Sequence, residues 1–279
     1  DGSNHLRDGG LAVATGHADQ GHLKLGAPAC RQGTQRGQAV RHFQAGQACG
    51  RQAAAQDATV PEADAWTVHI HADAADADNP RMRWRYDPAQ AGSSGQFADC
   101  GIHALHMASF ICDDEVEKLS ADFASTIPSR VLEDDAMVNL RFSGGTVGRL
   151  WTSSVAIGRQ HGFDIQVFGE TGGFRWASEQ PNQLIYTPVG GRTQIIEKGE
   201  SGLHEDARRL SRVAIAHPEG FPLAVANIYC DLADAIRGTA RDGLPTAAAG
   251  VRSMAAVHTA VASAKAGGQW MDARPPMFR

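Results

Sequence analysis

Hydrophobic and polar positions take on regular periods from Trp84 onward, and those periods predict the elements of the chain. Residues 96–112 read as a helix, because Ala98, Ile102, Leu105, Ser109 and Cys112 recur three or four residues apart, as one buried stripe requires. Ala136–Phe142 then alternates Val138, Leu140 and Phe142 against Asn139 and Arg141, which is the period of a half-buried strand. Ser143-Gly144-Gly145 turns it into a second strand, Thr146–Ser153, to make a hairpin. Phe163–Phe168 alternates in the same way, and a Gly-rich turn leads it into Phe174–Ala177. Gln183–Thr187 and Arg192–Glu197 extend the series, so an antiparallel meander is expected. Two helices follow. The first places Val225, Ile228, Tyr229, Leu232 and Ile236 on one apolar face; the second starts at a Thr246 cap and stops at Gly267-Gly268.

The first 75 residues behave differently. They contain only ten Leu, Ile, Val or Phe, too few to bury the apolar area that would offset ordering entropy. Two readings stand for residues 1–75. One is a poorly ordered leader. The other is a frame-shifted translation of GC-rich DNA, which tends to encode Ala, Gly, Arg, Gln and His out of frame, a reading that the other frames of the coding DNA would test.

Composition narrows the classes. With 279 residues, 42% of them hydrophobic, the chain is long enough for one or two cores. The net charge of −5, with both signs interspersed, offers no basic stripe for a phosphate backbone, so nucleic acid is not an expected partner. No apolar run is long enough to span a bilayer, so no membrane partner and a cytoplasmic location are expected. The five cysteines are widely spaced and lack a Cys-x-x-Cys pair, which points to reduced thiols, not a disulfide framework or structural zinc.

Candidate chemistry gathers on the helix at 96–112. Asp99, His103 and His106 fall at i, i+4 and i+7, on one face. Histidine is the side chain whose ordinary pKa lies near neutrality, so it suits proton exchange with a hydroxyl, and a carboxylate one turn away can orient it or bind substrate. The same spacing also fits an ordinary solvated helix face. Three ligands to a metal hydrolase or isomerase centre are a weaker reading, because one face of one helix supplies them poorly. His69 and His71 with Asp73 are a similarly weak metal candidate, and no metal is expected.

The longer pattern Gly95-Gln-Phe-Ala-Asp99-Cys-Gly101-Ile-His103 resembles the Gfo/Idh/MocA oxidoreductases, in which a glycine-rich loop leads into a helix bearing Asp-x-Gly-x-His. Trp84-Arg-Tyr-Asp-Pro88, Arg141-Phe-Ser-Gly-Gly-Thr-Val-Gly148, Val167-Phe-Gly-Glu-Thr-Gly-Gly-Phe-Arg-Trp176, His217-Pro-Glu-Gly-Phe221 and Ala226-Asn-Ile-Tyr229 agree with it in the same order. The resemblance implies an α+β fold for residues 76–279: a C-terminal substrate domain with a mostly antiparallel, open-faced sheet flanked by helices. It implies a sugar, polyol or inositol dehydrogenase using NAD or NADP, with His103 catalytic and Asp99 contacting substrate. It further implies a homo-oligomer formed through the sheet face. Arg159, His161 and His217, on loops near element ends, are additional candidates for binding substrate hydroxyls.

The departures are as specific. No Gly-x-Gly triplet occurs anywhere, so the fingerprint of a Rossmann domain is missing or unrecognisable. The family's Glu-Lys-Pro segment is missing too, and the Gly21–Gly26 loop lacks the residues of a phosphate cradle. Many relatives carry Asp where His106 stands. A second reading therefore remains: a non-catalytic carbohydrate-binding or self-associating module that lacks the cofactor domain.

Overall fold

The computed structural model describes residues 62–66, 83–156, 162–239 and 243–278. The chain divides into two compact units.

One unit contains the candidate helix through Ser109. Its strands are β1 (Glu62–Trp66), β2 (Val116–Ala124), β3 (Asp135–Phe142), β4 (Val147–Ser153) and, later in the chain, Met271–Asp272. They lie in the order β1, β4, β3, β2 and then Met271–Asp272. All pairings are antiparallel except the parallel one between β1 and β4, which aligns Glu62 with Arg149 and Trp66 with Ser153. The expected hairpin is present: β3 alternates buried Ala136, Val138, Leu140 and Phe142 with exposed Met137, Asn139 and Arg141. One face of this sheet is thus covered while the other is open, as an alternating pattern dictates.

The helix Ala247–Lys265 packs on β2 and buries Ala256, Val257, Ala260 and Val261. Thr246 caps it as expected, its hydroxyl accepting from the Ala249 N–H. Its other end is tied to the sheet through Ser263, which accepts from the Ala121 N–H and donates to the Gln269 carbonyl. Strand β2, not anticipated from the sequence, has an irregular alternation because its register slips between Val116 and Lys118.

The other unit holds β5 (Asp164–Gly169) from Gln166 onward, with β6 (Gly172–Ala177), β7 (Gln183–Pro188) and β8 (Gln194–Glu197), edge to edge in that order. It also holds the short helix Glu205–Leu210 and the helix Phe221–Ile236. The latter is the helix that the sequence predicts, with its apolar residues on one face. Its apolar face is exposed, with Phe221 at 82%, Tyr229 at 67% and Ile236 at 79%. The polar face turns inward: Asn227 is buried, accepting from Arg212 and donating to the Leu210 carbonyl, and Asp231 pairs with Arg209 at 2.8 Å. Periodicity located the two faces correctly, and the polar one is turned inward because Arg209 and Arg212 lie against it.

The fold is the α+β arrangement expected of the resemblance. Among the described residues no helix is long and apolar enough to cross a membrane.

Candidate active site

Three short elements build the site before its helix begins. A tight helical turn over Arg83–Tyr86 leads to Asp87, which caps the helix α1 (Pro88–Ala91) by accepting from the Ala89 N–H at 2.9 Å and from Gln90 at 2.7 Å. Those two hydrogen bonds, the Gln90 one foremost, hold the Asp87 carboxyl below its ordinary pKa. Residues 92–96 then run into a π-helical turn, Phe97–Gly101, which continues as α2 (Ile102–Cys112). The expected helix is present, but its first turn is wound more loosely, so that the Ile102 N–H reaches back to the Phe97 carbonyl. Such turns often accompany functional sites because they re-aim side chains. The buried stripe also differs from the expected one. The buried residues are Phe97, Gly101, Ala104, Leu105, Met107, Ala108, Ile111 and Cys112, while Ala98, Ile102 and Ser109 are only half-buried. The extra residue in the first turn rotates the stripe relative to an unbroken helix.

Glycine at 101 follows from this packing. The Phe97 ring, fully buried, lies where a Cβ on residue 101 would go. Gly95 is constrained in the same way: a Cβ there would stand 2.9 Å from the Glu133 carbonyl oxygen. The loop therefore approaches the start of β3 closely, and Glu133 uses the proximity. One oxygen of its carboxylate accepts from the Ser94 hydroxyl at 2.6 Å, the Gly95 N–H at 2.9 Å and the Phe97 N–H at 3.0 Å. The Ser94 hydroxyl in turn accepts from the Ala98 N–H, and Gln96 donates to Thr152 on β4. The orphan N–H groups of the helix start are thereby satisfied from 38 residues away. Sequence reasoning missed Glu133, and its only signal was a carboxylate just before a strand.

With its base anchored, the helix presents Asp99 and His103 outward. Both are exposed, while His106 is half-buried. Burial, reinforced by the nearby charge of His103, depresses the His106 pKa below its ordinary value of 6.5. His106 is therefore a neutral imidazole around neutral pH, and His103 is the histidine of the pair that faces solvent. Asp99 has a partner the sequence did not reveal: Arg85 Nη1 lies 2.5 Å from Asp99 Oδ2. An exposed imidazole beside a held carboxylate can take a proton from a hydroxyl while the carboxylate accepts a hydrogen bond from a neighbouring one.

Of the remaining candidates, Arg159, His161, His69, His71 and Asp73 lie outside the described residues. His217 is on an exposed loop of the other unit, its Nδ1 3.3 Å from the Ile215 carbonyl oxygen. That loop is pinned by Glu219, which is buried: its carboxylate accepts from the Val213 N–H and pairs with Lys198 at 3.2 Å, while its backbone N–H donates to the Asn182 side-chain oxygen and its carbonyl accepts from the Asn182 side-chain nitrogen. Among the described residues, metal-ligating atoms come within 4.8 Å of one another only at His204, Glu205 and Asp206. Among the described residues no glycine-rich turn leads from a strand into a helix, and the chain has no Gly-x-Gly.

Comparison with known proteins agrees with this architecture. The GFO/IDH/MocA C-terminal domain matches residues 65–175. An uncharacterised oxidoreductase of Bacillus subtilis, YfiI, is 31% identical over 201 residues, covering 68% of this chain and 51% of the relative. A solved inositol dehydrogenase homolog from Azotobacter vinelandii, complexed with NAD+, is 31% identical with a TM-score of 0.71, covering 77% of this chain and 57% of that one. The same homolog complexed with NADH and myo-inositol has a TM-score of 0.71 at 26% identity, over 95% of this chain and 63% of that one. The chain thus spans little more than half the length of these relatives, and the match lies mainly with their C-terminal half. On the fold, the Asp-x-Gly-x-His helix and these similarities, the chain belongs to the Gfo/Idh/MocA family of oxidoreductases through its C-terminal substrate domain.

Proposed function

We propose that this chain supplies the substrate-binding half of a dehydrogenase acting on a sugar, polyol or inositol, with residues 76–279 as the substrate domain. The observation that carries the reading is the presentation of His103 and Asp99 together on the exposed side of a helix whose other side is locked to the sheet. Oxidising a carbinol removes a hydride from carbon and a proton from oxygen. The proton is this chain's share: a ring nitrogen of His103 takes it from the hydroxyl, while Asp99 accepts a hydrogen bond from the substrate and fixes its orientation. Arg159 and His161 are proposed to contact further hydroxyls. NAD or NADP is the hydride acceptor proposed for the whole protein, since the solved relatives carry NAD+ or NADH. Because the described residues do not fit a dinucleotide, no step of that transfer is assigned to them. A homo-oligomer through the open sheet face completes the proposal, with exposed Met137 among the outward residues of β3.

The second reading, a carbohydrate-binding module without catalysis, is favoured by one observation: no Gly-x-Gly triplet occurs in the sequence. A fluorescence titration of the purified chain with NADH and NADPH, with myo-inositol or levoglucosan present and a His103→Ala control, separates the two. Saturable nucleotide binding, together with polyol oxidation on addition of NAD+ or NADP+ that is lost in H103A, supports the dehydrogenase. Polyol binding with no response to either nucleotide supports the module, and no binding of polyol or nucleotide sinks both.

A further inference from the structure

We infer that Arg85 is a positioning residue for Asp99, fixing the carboxylate for substrate without touching substrate itself. The inference rests on the reading of Asp99 as a substrate contact.

Asp99 stands in the first turn of an exposed helix, where an unassisted carboxylate samples several rotamers. Arg85, 14 residues earlier, removes that freedom through its contact with Oδ2. Asp99 Oδ1 has no hydrogen bond among the described residues, and Asp99, like His103, is exposed. One oxygen is therefore held and the other is free to accept from a hydroxyl.

Arg85 is itself braced. Its guanidinium lies 5.3 Å from the centre of the Trp84 ring. The next residue, Tyr86, sits beneath the Arg130 guanidinium at 4.9 Å. Arg130 is anchored in turn by Asp134 at 3.3 Å and the Ser154 hydroxyl at 3.2 Å, and Asp134 is 1% exposed. A chain of contacts thus runs from the buried ends of β3 and β4, through the turn at 83–86, to one carboxylate oxygen. The ion pair is too exposed to contribute much to folding: its side chains keep 33% and 46% of their accessible surface, and pairs of that kind add little. Its removal is therefore expected to free the carboxylate and leave the fold intact.

A double-mutant cycle on polyol binding by the full chain tests this, with myo-inositol and levoglucosan as probes, titrated by ligand-observed NMR. The variants are Arg85→Met, Arg85→Lys, Asp99→Asn and R85M/D99N, each checked for an unchanged melting temperature. Loss of a charge-assisted hydrogen bond predicts affinity falling roughly tenfold in D99N, and somewhat less in R85M. The double variant is expected to bind no more weakly than D99N alone, and R85K to recover part of the loss by keeping the charge. Should R85M fail to fold, R85K and R85K/D99N carry the same cycle. Additive losses would mean that Arg85 touches the polyol directly and would overturn the inference. Full affinity in R85M beside weakened D99N overturns it too, while leaving the role of Asp99 standing. An unaffected D99N, or a wild-type chain that binds neither probe, removes the reading of Asp99 and this inference with it.

Discussion

Replacing Glu133 by alanine removes one acceptor and strands three donors at once: the Ser94 hydroxyl and the Gly95 and Phe97 N–H groups. A hydrogen bond to a charged acceptor contributes about 1.5–3 kcal/mol net, and the three do not add in full, because they share one oxygen in a partly solvated loop. A total of about 3 kcal/mol is a reasonable sum, above the ~1 kcal/mol typical of losing a single helix cap. At roughly 2–4 °C per kcal/mol for a domain of 150–250 residues, the melting temperature falls by about 6–12 °C. Glu133→Gln keeps a carbonyl oxygen in the same place and should lose about 1 kcal/mol. Urea unfolding followed by circular dichroism measures both variants. Because the stranded groups form the root of the helix bearing Asp99 and His103, hydrogen exchange at the Phe97 and Ala98 amides should rise in E133A well before global unfolding. A loss below about 1 kcal/mol in E133A, or equal losses in E133A and E133Q, would refute the view that this carboxylate anchors the site.

Three other outcomes follow from the same geometry. The His106 pKa is depressed in the folded state, so the unfolded chain binds more protons, and stability falls as pH drops below about 6.5 and through the lower folded value; His106→Gln should lose less stability than wild type between about pH 7 and pH 5, and equal urea midpoint shifts would contradict this. Gly101→Ala drives a methyl into the buried Phe97 ring and should cost about 1–3 kcal/mol, measured by thermal melting, with Phe97→Leu in the same chain relieving part of it. On the helix Phe221–Ile236, Asn227→Ala is expected to cost about 1–3 kcal/mol by orphaning its partners. Ile236→Ser on the same helix should stay within about 0.5 kcal/mol, and the reverse ranking would contradict the burial of its polar face.

Much of the fold is legible without coordinates because local periods carry it. The alternation of Val138, Leu140 and Phe142, the glycines between strands and the Thr246 cap each specify backbone shape within a few residues, and the structure matches them. The motif around Asp99 and His103 likewise fixes a helix and places both residues on it. What the sequence does not carry is any interaction whose partners lie far apart in the chain. The parallel pairing of Glu62–Trp66 with β4, the grip of Glu133 on the Ser94–Phe97 loop and the reach of Arg85 to Asp99 join segments separated by 14 residues or more, and no period or composition records them. A period also shows that a helix has two faces without saying which one is buried. The helix Phe221–Ile236 turned its polar side inward because Arg209 and Arg212 on a neighbouring segment waited there for Asp231 and Asn227. Local sequence thus determined which elements form and which residues share a face, and tertiary structure alone decided what each face meets, because burial and charge pairing depend on neighbours that only the folded chain brings together.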